Sequence, residues 1–176
     1  MTRELLLLRH AKAARDDAGL DDYDRPLTAR GRAAAAHMGK SMRRMGLDPD
    51  LVLCSTAART QATLLLALQE LGWKRDVRLS RGLYLAEMLA LLEALRAAPQ
   101  KCRSILLIGH NPGLEDLAAL LSRPGVGAAK DLERLQTKFP TAGLAVLDVA
   151  GTWETLQPES AVLREFLTPP DRADGT

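Results

Sequence analysis

Leu5-Leu6-Leu7-Leu8-Arg9-His10 is the stretch on which the reading of this chain turns. A run of four apolar residues that ends in Arg-His reads as a short strand buried on both faces, the kind found in a parallel sheet covered by helices. Such a strand delivers the residues after it to the carboxyl edge of the sheet, where open α/β sheets bind ligands. Here the delivered pair is a cation and an imidazole. The arrangement recurs: Ser104-Ile105-Leu106-Leu107-Ile108-Gly109 runs into His110-Asn111-Pro112-Gly113. Between the two lies Leu51-Val52-Leu53-Cys54-Ser55, a strand that turns into a helix bearing Arg59. Two histidines and two arginines at strand ends point to a phosphate-handling site.

Outward from these strands, short apolar runs alternate with longer helical segments, the mark of an α/β fold with a mostly parallel sheet. A polar, turn-rich loop spans Ala11 to Asp24. The pattern then predicts a helix capped by Thr28 and ended by Gly46, a second from about Ala57 to Leu71 stopped by Gly72, and a third from about Glu87 to Ala97. Val77-Arg78-Leu79 reads as a short strand. A helix follows Pro112-Gly113, with Glu115 and Asp116 suited to its amino-terminal turn, and a short one covers Leu132 to Leu135. Gly143 to Val149 and Thr152 to Gln157 flank Ala150-Gly151 as the two strands of an expected hairpin, an antiparallel element closing one part of the sheet.

With 176 residues the chain has the length of one domain, expected over 1–168, followed by a polar tail, 169–176, expected to be disordered. Aromatic residues make up only 3%, so the core must be built from Leu, Ala and Val. The formal net charge of +2 comes from interspersed acids and bases. It lacks the basic stripe of a nucleic-acid binder, so no nucleic acid is expected as partner. No secretory signal and no membrane-spanning stretch is read, which gives a cytoplasmic expectation with no membrane partner. Cys54 and Cys102 have no metal-ligand or redox spacing and read as packed thiols. Composition does not determine the oligomeric state.

Phosphoryl transfer needs an in-line nucleophile and fixed positive charge around the equatorial oxygens. A neutral imidazole at His10 supplies the first; Arg9, Arg59 and His110 supply the second. With that much cationic charge no metal or other cofactor is required.

Leu8-Arg9-His10-Ala11-Lys12-Ala13, Arg25-Pro26-Leu27-Thr28 with Gly31, Ser55 with Arg59-Thr60 and Thr63, Leu83-Tyr84, Gly109-His110-Asn111-Pro112-Gly113 and Lys138-Phe139-Pro140-Thr141-Ala142 occur in this order over nearly the whole chain. Together they resemble the histidine phosphatase superfamily, the phosphoglycerate mutase-like proteins, and within it the small SixA-type phosphohistidine phosphatase branch. The resemblance implies a three-layer α/β/α sandwich and metal-free hydrolysis. It makes His10 the phosphate-accepting histidine, Arg9 and Arg59 the phosphate-binding arginines and His110 the second site histidine. Lys12 and Asn111 become candidate substrate-binding residues. The superfamily's opening motif is usually Arg-His-Gly; Ala11 in place of that glycine is at home in the SixA-type branch. Larger relatives carry a glutamate as proton donor after the third strand. The nearest carboxylate here is Glu87, whose competing role is in the first turn of the following helix.

The expected substrate is a phosphohistidine-bearing protein, with phosphate as product. A small phosphorylated metabolite remains the alternative substrate, and a phosphate-dependent binding module without turnover is the remote one. A binder needs the cations but has no need of an in-line nucleophile, which argues for the enzyme.

Overall fold

Why four leucines in a row form a strand is visible in where their side chains go. In the computed structural model, which describes residues 2–15, 19–72 and 76–170, the first strand, β1 (Thr2–Arg9), lies inside a six-stranded sheet. Leu5 and Leu7 enter one core and Leu6 and Leu8 the other, on opposite faces of the pleat. All four are fully buried, each contributing about 1.5–3 kcal/mol of apolar burial.

The other strands are β2 (Leu51–Ser55), β3 (Asp76–Ser80), β4 (Ser104–Gly109), β5 (Leu144–Ala150) and β6 (Ala161–Leu167). Their order is β3-β2-β4-β1-β5-β6. The first four are parallel to one another, and β5 and β6 add antiparallel to the β1 edge. Helices α1 (Ala29–Arg44) and α2 (Ala58–Leu71) cover one face through Met38, Met42, Leu64 and Leu68. Helices α3 (Met88–Arg96), α4 (Gly113–Leu121) and α5 (Ala129–Thr137) cover the other through Leu91, Leu95, Leu114, Leu117 and Leu135. The result is the three-layer α/β/α sandwich expected from the sequence. Thr28 caps α1 through its hydroxyl, which accepts from the Gly31 amide at 3.0 Å.

The hairpin partner of β5 differs from the expectation. The second strand is Ala161–Leu167, and Thr152 to Gln157 forms a turn instead. Trp153 and Leu156, three residues apart, are both fully buried, a spacing that a turn satisfies and a strand does not. The Trp153 indole donates to the Cys102 carbonyl at 2.7 Å, and the Leu156 amide bonds back to the Trp153 carbonyl at 3.1 Å. An antiparallel element does close the sheet, as expected, but with a longer connection.

Cys54 and Cys102 are free, buried thiols, and burial pushes Cys54 up to about 12. The tail expected beyond Pro169-Pro170 lies, from residue 171, outside the described residues. No helix among the described residues is long and apolar enough to cross a membrane.

Candidate active site

The register of the sheet places the two histidines side by side. Arg9 of β1 pairs with Gly109 of β4, so His10 and His110 both leave the sheet at its carboxyl edge, with ring centroids 5.3 Å apart. β2, on the far side of β4, ends at Ser55, and the turn after it starts α2, whose second residue is Arg59. Parallel strands of matched length thus bring residues about 50 positions apart to one point. A cavity of about 300 Å³ opens there, lined by Arg9, His10, Lys12, Arg59, His110 and Asn111 together with Asp22, Arg25 and a few neighbours.

Two glycines let the walls close in. A Cβ at Gly31 of α1 would stand 2.0 Å from the Lys12 carbonyl oxygen, and one at Gly113 of α4 would stand 2.0 Å from that of Ala86. Neither neighbour is a flexible side chain, so only glycine allows these crossings.

His10 is held in one tautomer. Its Nδ1 lies 2.8 Å from the Ala11 carbonyl; a carbonyl only accepts, so Nδ1 carries the proton and Nε2 carries the lone pair. The Ala11 amide donates to Thr63 Oγ1 at 2.9 Å, and that hydroxyl donates to the Arg59 carbonyl at 2.7 Å, which ties this loop to α2. Burial, reinforced by the Arg59 and Arg9 charges, depresses His10 to about 4. The ring is therefore neutral at pH 7. Arg59 Nε donates to His10 Nε2 at 3.4 Å.

His110 is 2% exposed. Burial first, then His10 and Arg59, depress it to about 3. Its Nε2 lies 2.8 Å from Ser55 Oγ. That oxygen also accepts from the Ala57 amide at 3.3 Å; with the Ser55 hydroxyl hydrogen donated to Nε2, the His110 proton sits on Nδ1. Nδ1 is buried and has no protein partner among the described residues, and the same holds for Arg9 Nε. Two buried donors without acceptors are unusual in a folded protein and suit a site built for an anion.

Arg9 is fixed through Nη1 to the Phe139 carbonyl at 2.8 Å. Asn111 Nδ2 donates to the same carbonyl at 3.0 Å and to Glu115 Oε2 at 3.3 Å. The Lys138 to Ala142 segment singled out in the sequence therefore forms one wall, and the Ala142 amide closes it onto the Arg9 and His10 carbonyls.

The structure gathers His10, Arg9, Arg59, His110, Lys12 and Asn111 around one cavity, and it does not bring Glu87 there. Glu87 is the exposed N-cap residue of α3 and is not among the lining residues. Among the described lining residues the carboxylate is Asp22, which the sequence alone did not single out. It sits on a single-turn 3-10 helix (Asp22–Asp24) in the polar loop. Its Oδ1 accepts from Arg25 Nε at 2.9 Å and Nη2 at 2.6 Å, and its Oδ2 from Arg59 Nη2 at 3.0 Å and the Tyr84 hydroxyl at 2.5 Å. The Tyr84 hydrogen bond and the arginines hold Asp22 down at about 2. No group of three or more His, Cys, Asp or Glu among the described residues could hold a metal ion.

A strand-edge cavity with two buried histidines and fixed guanidinium groups, set in an α/β/α sandwich, is an arrangement suited to an anion. The chain belongs to the histidine phosphatase superfamily (branch 1), whose family model matches residues 5–123. It is 37% identical over 162 residues to an uncharacterized protein of Mycobacterium tuberculosis (strain H37Rv), covering 92% of this chain and 99% of that one. Among solved structures it is similar to the candidate phosphohistidine phosphatase SixA from Nakamurella multipartitia, with 32% identity, a TM-score of 0.81 and coverage of 96% and 97%. The corresponding candidate from Agrobacterium tumefaciens gives 33% identity, a TM-score of 0.77 and coverage of 95% and 99%.

Proposed function

We propose that this protein is a metal-independent phosphatase that works through a covalent phosphohistidine on His10, and that its substrate is a phosphohistidine carried by another protein. His10 Nε2 attacks phosphorus in line; the bond from phosphorus to the leaving atom breaks, and that atom keeps the electron pair. Water then attacks the phosphorylated His10, releasing phosphate and returning the ring to its neutral form. Arg9 and Arg59 hold the equatorial oxygens, and His110 Nδ1–H adds a donor as charge builds there. Lys12 and Asn111 face the substrate from the cavity wall.

The observation that carries the reading is the tautomer lock on His10. A histidine with Nδ1 committed to a carbonyl, burial that keeps it neutral, and Nε2 beside an arginine has the form of a nucleophile rather than of a packing residue.

The choice of substrate rests on proton supply. An alkyl ester needs an acid to protonate its leaving oxygen. The carboxyl group among the described lining residues, Asp22, is ionised down to about pH 2 and has no proton to give. The imidazole of a phosphohistidine needs no acid of the enzyme: its other nitrogen takes a proton from solvent, the N–P bond breaks with the electron pair staying on nitrogen, and the ring leaves as neutral imidazole. The similarity to SixA-type structures supports the same substrate class.

The test is phosphate release by the purified protein, with chelator present, from a phosphohistidine-bearing protein and from a panel of small phosphomonoesters. The expected result is preferential release from the phosphohistidine protein, lost in His10→Ala. Release from small esters alone would move the function to metabolite dephosphorylation. No release from any substrate, with phospholigand binding retained, would leave a binding module.

A further inference from the structure

The proposed phosphate-binding arginine is already engaged by an acid of its own chain. Arg59 Nη2 donates to the Asp22 carboxylate at 3.0 Å, Nη1 donates to the Asp22 backbone carbonyl at 2.6 Å, and Nε points at His10 Nε2 at 3.4 Å. The other oxygen of the same carboxylate takes two donors from Arg25, and Tyr84 supplies a fourth. Asp22 thus carries hydrogen bonds on both oxygens from the kinds of donor that would hold phosphoryl oxygens, and it does so within the cavity wall.

The two partners are not equally free to move. The Arg59 side chain is 2% exposed, whereas that of Asp22 is 38% exposed. Arg59 is fixed by its place in the first turn of α2. Asp22 stands on one turn of 3-10 helix in a polar loop, held by hydrogen bonds from Arg25 and Tyr84 rather than by burial. When a second anion enters, the side chain that can rotate towards water is the carboxylate.

We propose that Asp22 is an affinity-determining residue, an internal stand-in for the phosphoryl group that yields Arg59 to the substrate and takes it back as phosphate leaves. The inference rests on the functional reading above and deepens it. The like charge of Asp22 opposes a free phosphate dianion, which brings nothing but its own oxygens. A protein-borne phosphoryl group brings further contacts from the surface around it and offsets the competition. The site thereby releases product, and it stays open to a scarce phosphoprotein in a solution rich in free phosphate. Tyr84 and Arg25 act through Asp22 as positioning residues, aiming its carboxylate at Arg59.

The experiment is a calorimetric titration of the full chain with inorganic phosphate at pH 7.5, comparing the unaltered protein with Asp22→Ala and Asp22→Asn. Removing a unit negative charge a few ångströms from a bound dianion is expected to tighten phosphate binding about tenfold in both variants. Phosphate inhibition of turnover should strengthen in parallel. A brace that merely held Arg59 in place would give the opposite result, weaker binding, with Asp22→Asn damaged less than Asp22→Ala. Equal or weaker phosphate binding in the variants therefore overturns the role of Asp22 and leaves the functional reading standing. If Asp22→Ala fails to fold by circular dichroism, the isosteric Asp22→Asn decides alone. Phosphate binding undetectable in all three proteins likewise overturns the role of Asp22, and the functional reading is then judged separately by phosphate release from the phosphohistidine protein.

Discussion

Lowering the pH from 7.5 to 5.5 separates a buried, preset nucleophile from an ordinary histidine. A histidine of ordinary pKa, near 6.5, would be only about one-tenth neutral at pH 5.5, and a rate that needs the free Nε2 would fall about tenfold. With His10 held at about 4, roughly 97% of it stays neutral at pH 5.5 and the rate constant for its attack should barely change. The assay is a pH titration of the imidazole ring resonances, assigned with His10→Gln and His110→Gln, alongside kcat/KM for a phosphoramidate. The same shift has a stability consequence. Between the folded value and the unfolded value the unfolded chain binds more protons, so stability is complete above about pH 6.5 and falls as pH drops towards 4. For His10 alone the loss is on the order of 3 kcal/mol at the acid end, and His110, held at about 3, adds to it in the same direction. A His10 midpoint near 6.5, or an activity limb there that tracks the His10 resonance, would mean that burial does not preset His10 as a neutral nucleophile.

Three substitutions probe the rest of the site. Arg59→Lys keeps the charge but loses the fork that reaches His10 and Asp22 together; kcat should fall roughly 10²- to 10³-fold, and a loss under tenfold would count against the role given to Arg59. Ser55→Ala removes the hydroxyl that fixes the His110 tautomer; with about 1–2 kcal/mol at stake for a buried hydrogen bond, turnover should drop about tenfold while the fold is kept. Gly31→Ala drives a Cβ into the Lys12 carbonyl, which would stand 2.0 Å away. The strain, about 1–3 kcal/mol, should lower Tm by on the order of 5 °C in a chain of this size, and an unchanged Tm would contradict the tight crossing of α1.

How much of this was legible in the sequence follows from what each signal depends on. The parallel strands were readable because burial on both faces forces runs such as Leu5 to Leu8 and Ile105 to Ile108 to be apolar throughout, and a sheet edge is the only place such runs can deliver Arg9-His10 and His110. Arg59 was readable because the strand before it and the helix it opens are both strongly patterned. Thr152 to Gln157 misled because Trp153 and Thr155 are good strand residues, while the fact that overrides them, the indole reaching the Cys102 carbonyl, lies about 50 residues away in sequence. Asp22 went unseen for a related reason. An acid in a polar loop looks like a solvated charge until the fold sets it against Arg59 and Tyr84, 37 and 62 residues further along. Glu87 drew notice by its nearness to Leu83-Tyr84, but its backbone caps α3 and stands outside the cavity wall.

The proposed mechanism requires His10 to become phosphorylated during turnover without any metal. Rapid quenching into alkali with chelator present, followed by intact mass measurement and peptide mapping, tests it directly. A transient species carrying one phosphoryl group, stable in base and lost in acid, is expected on His10 and absent from His10→Ala. Turnover that proceeds with no phosphorylated protein at any time point, or with the phosphoryl group on another residue, would contradict it.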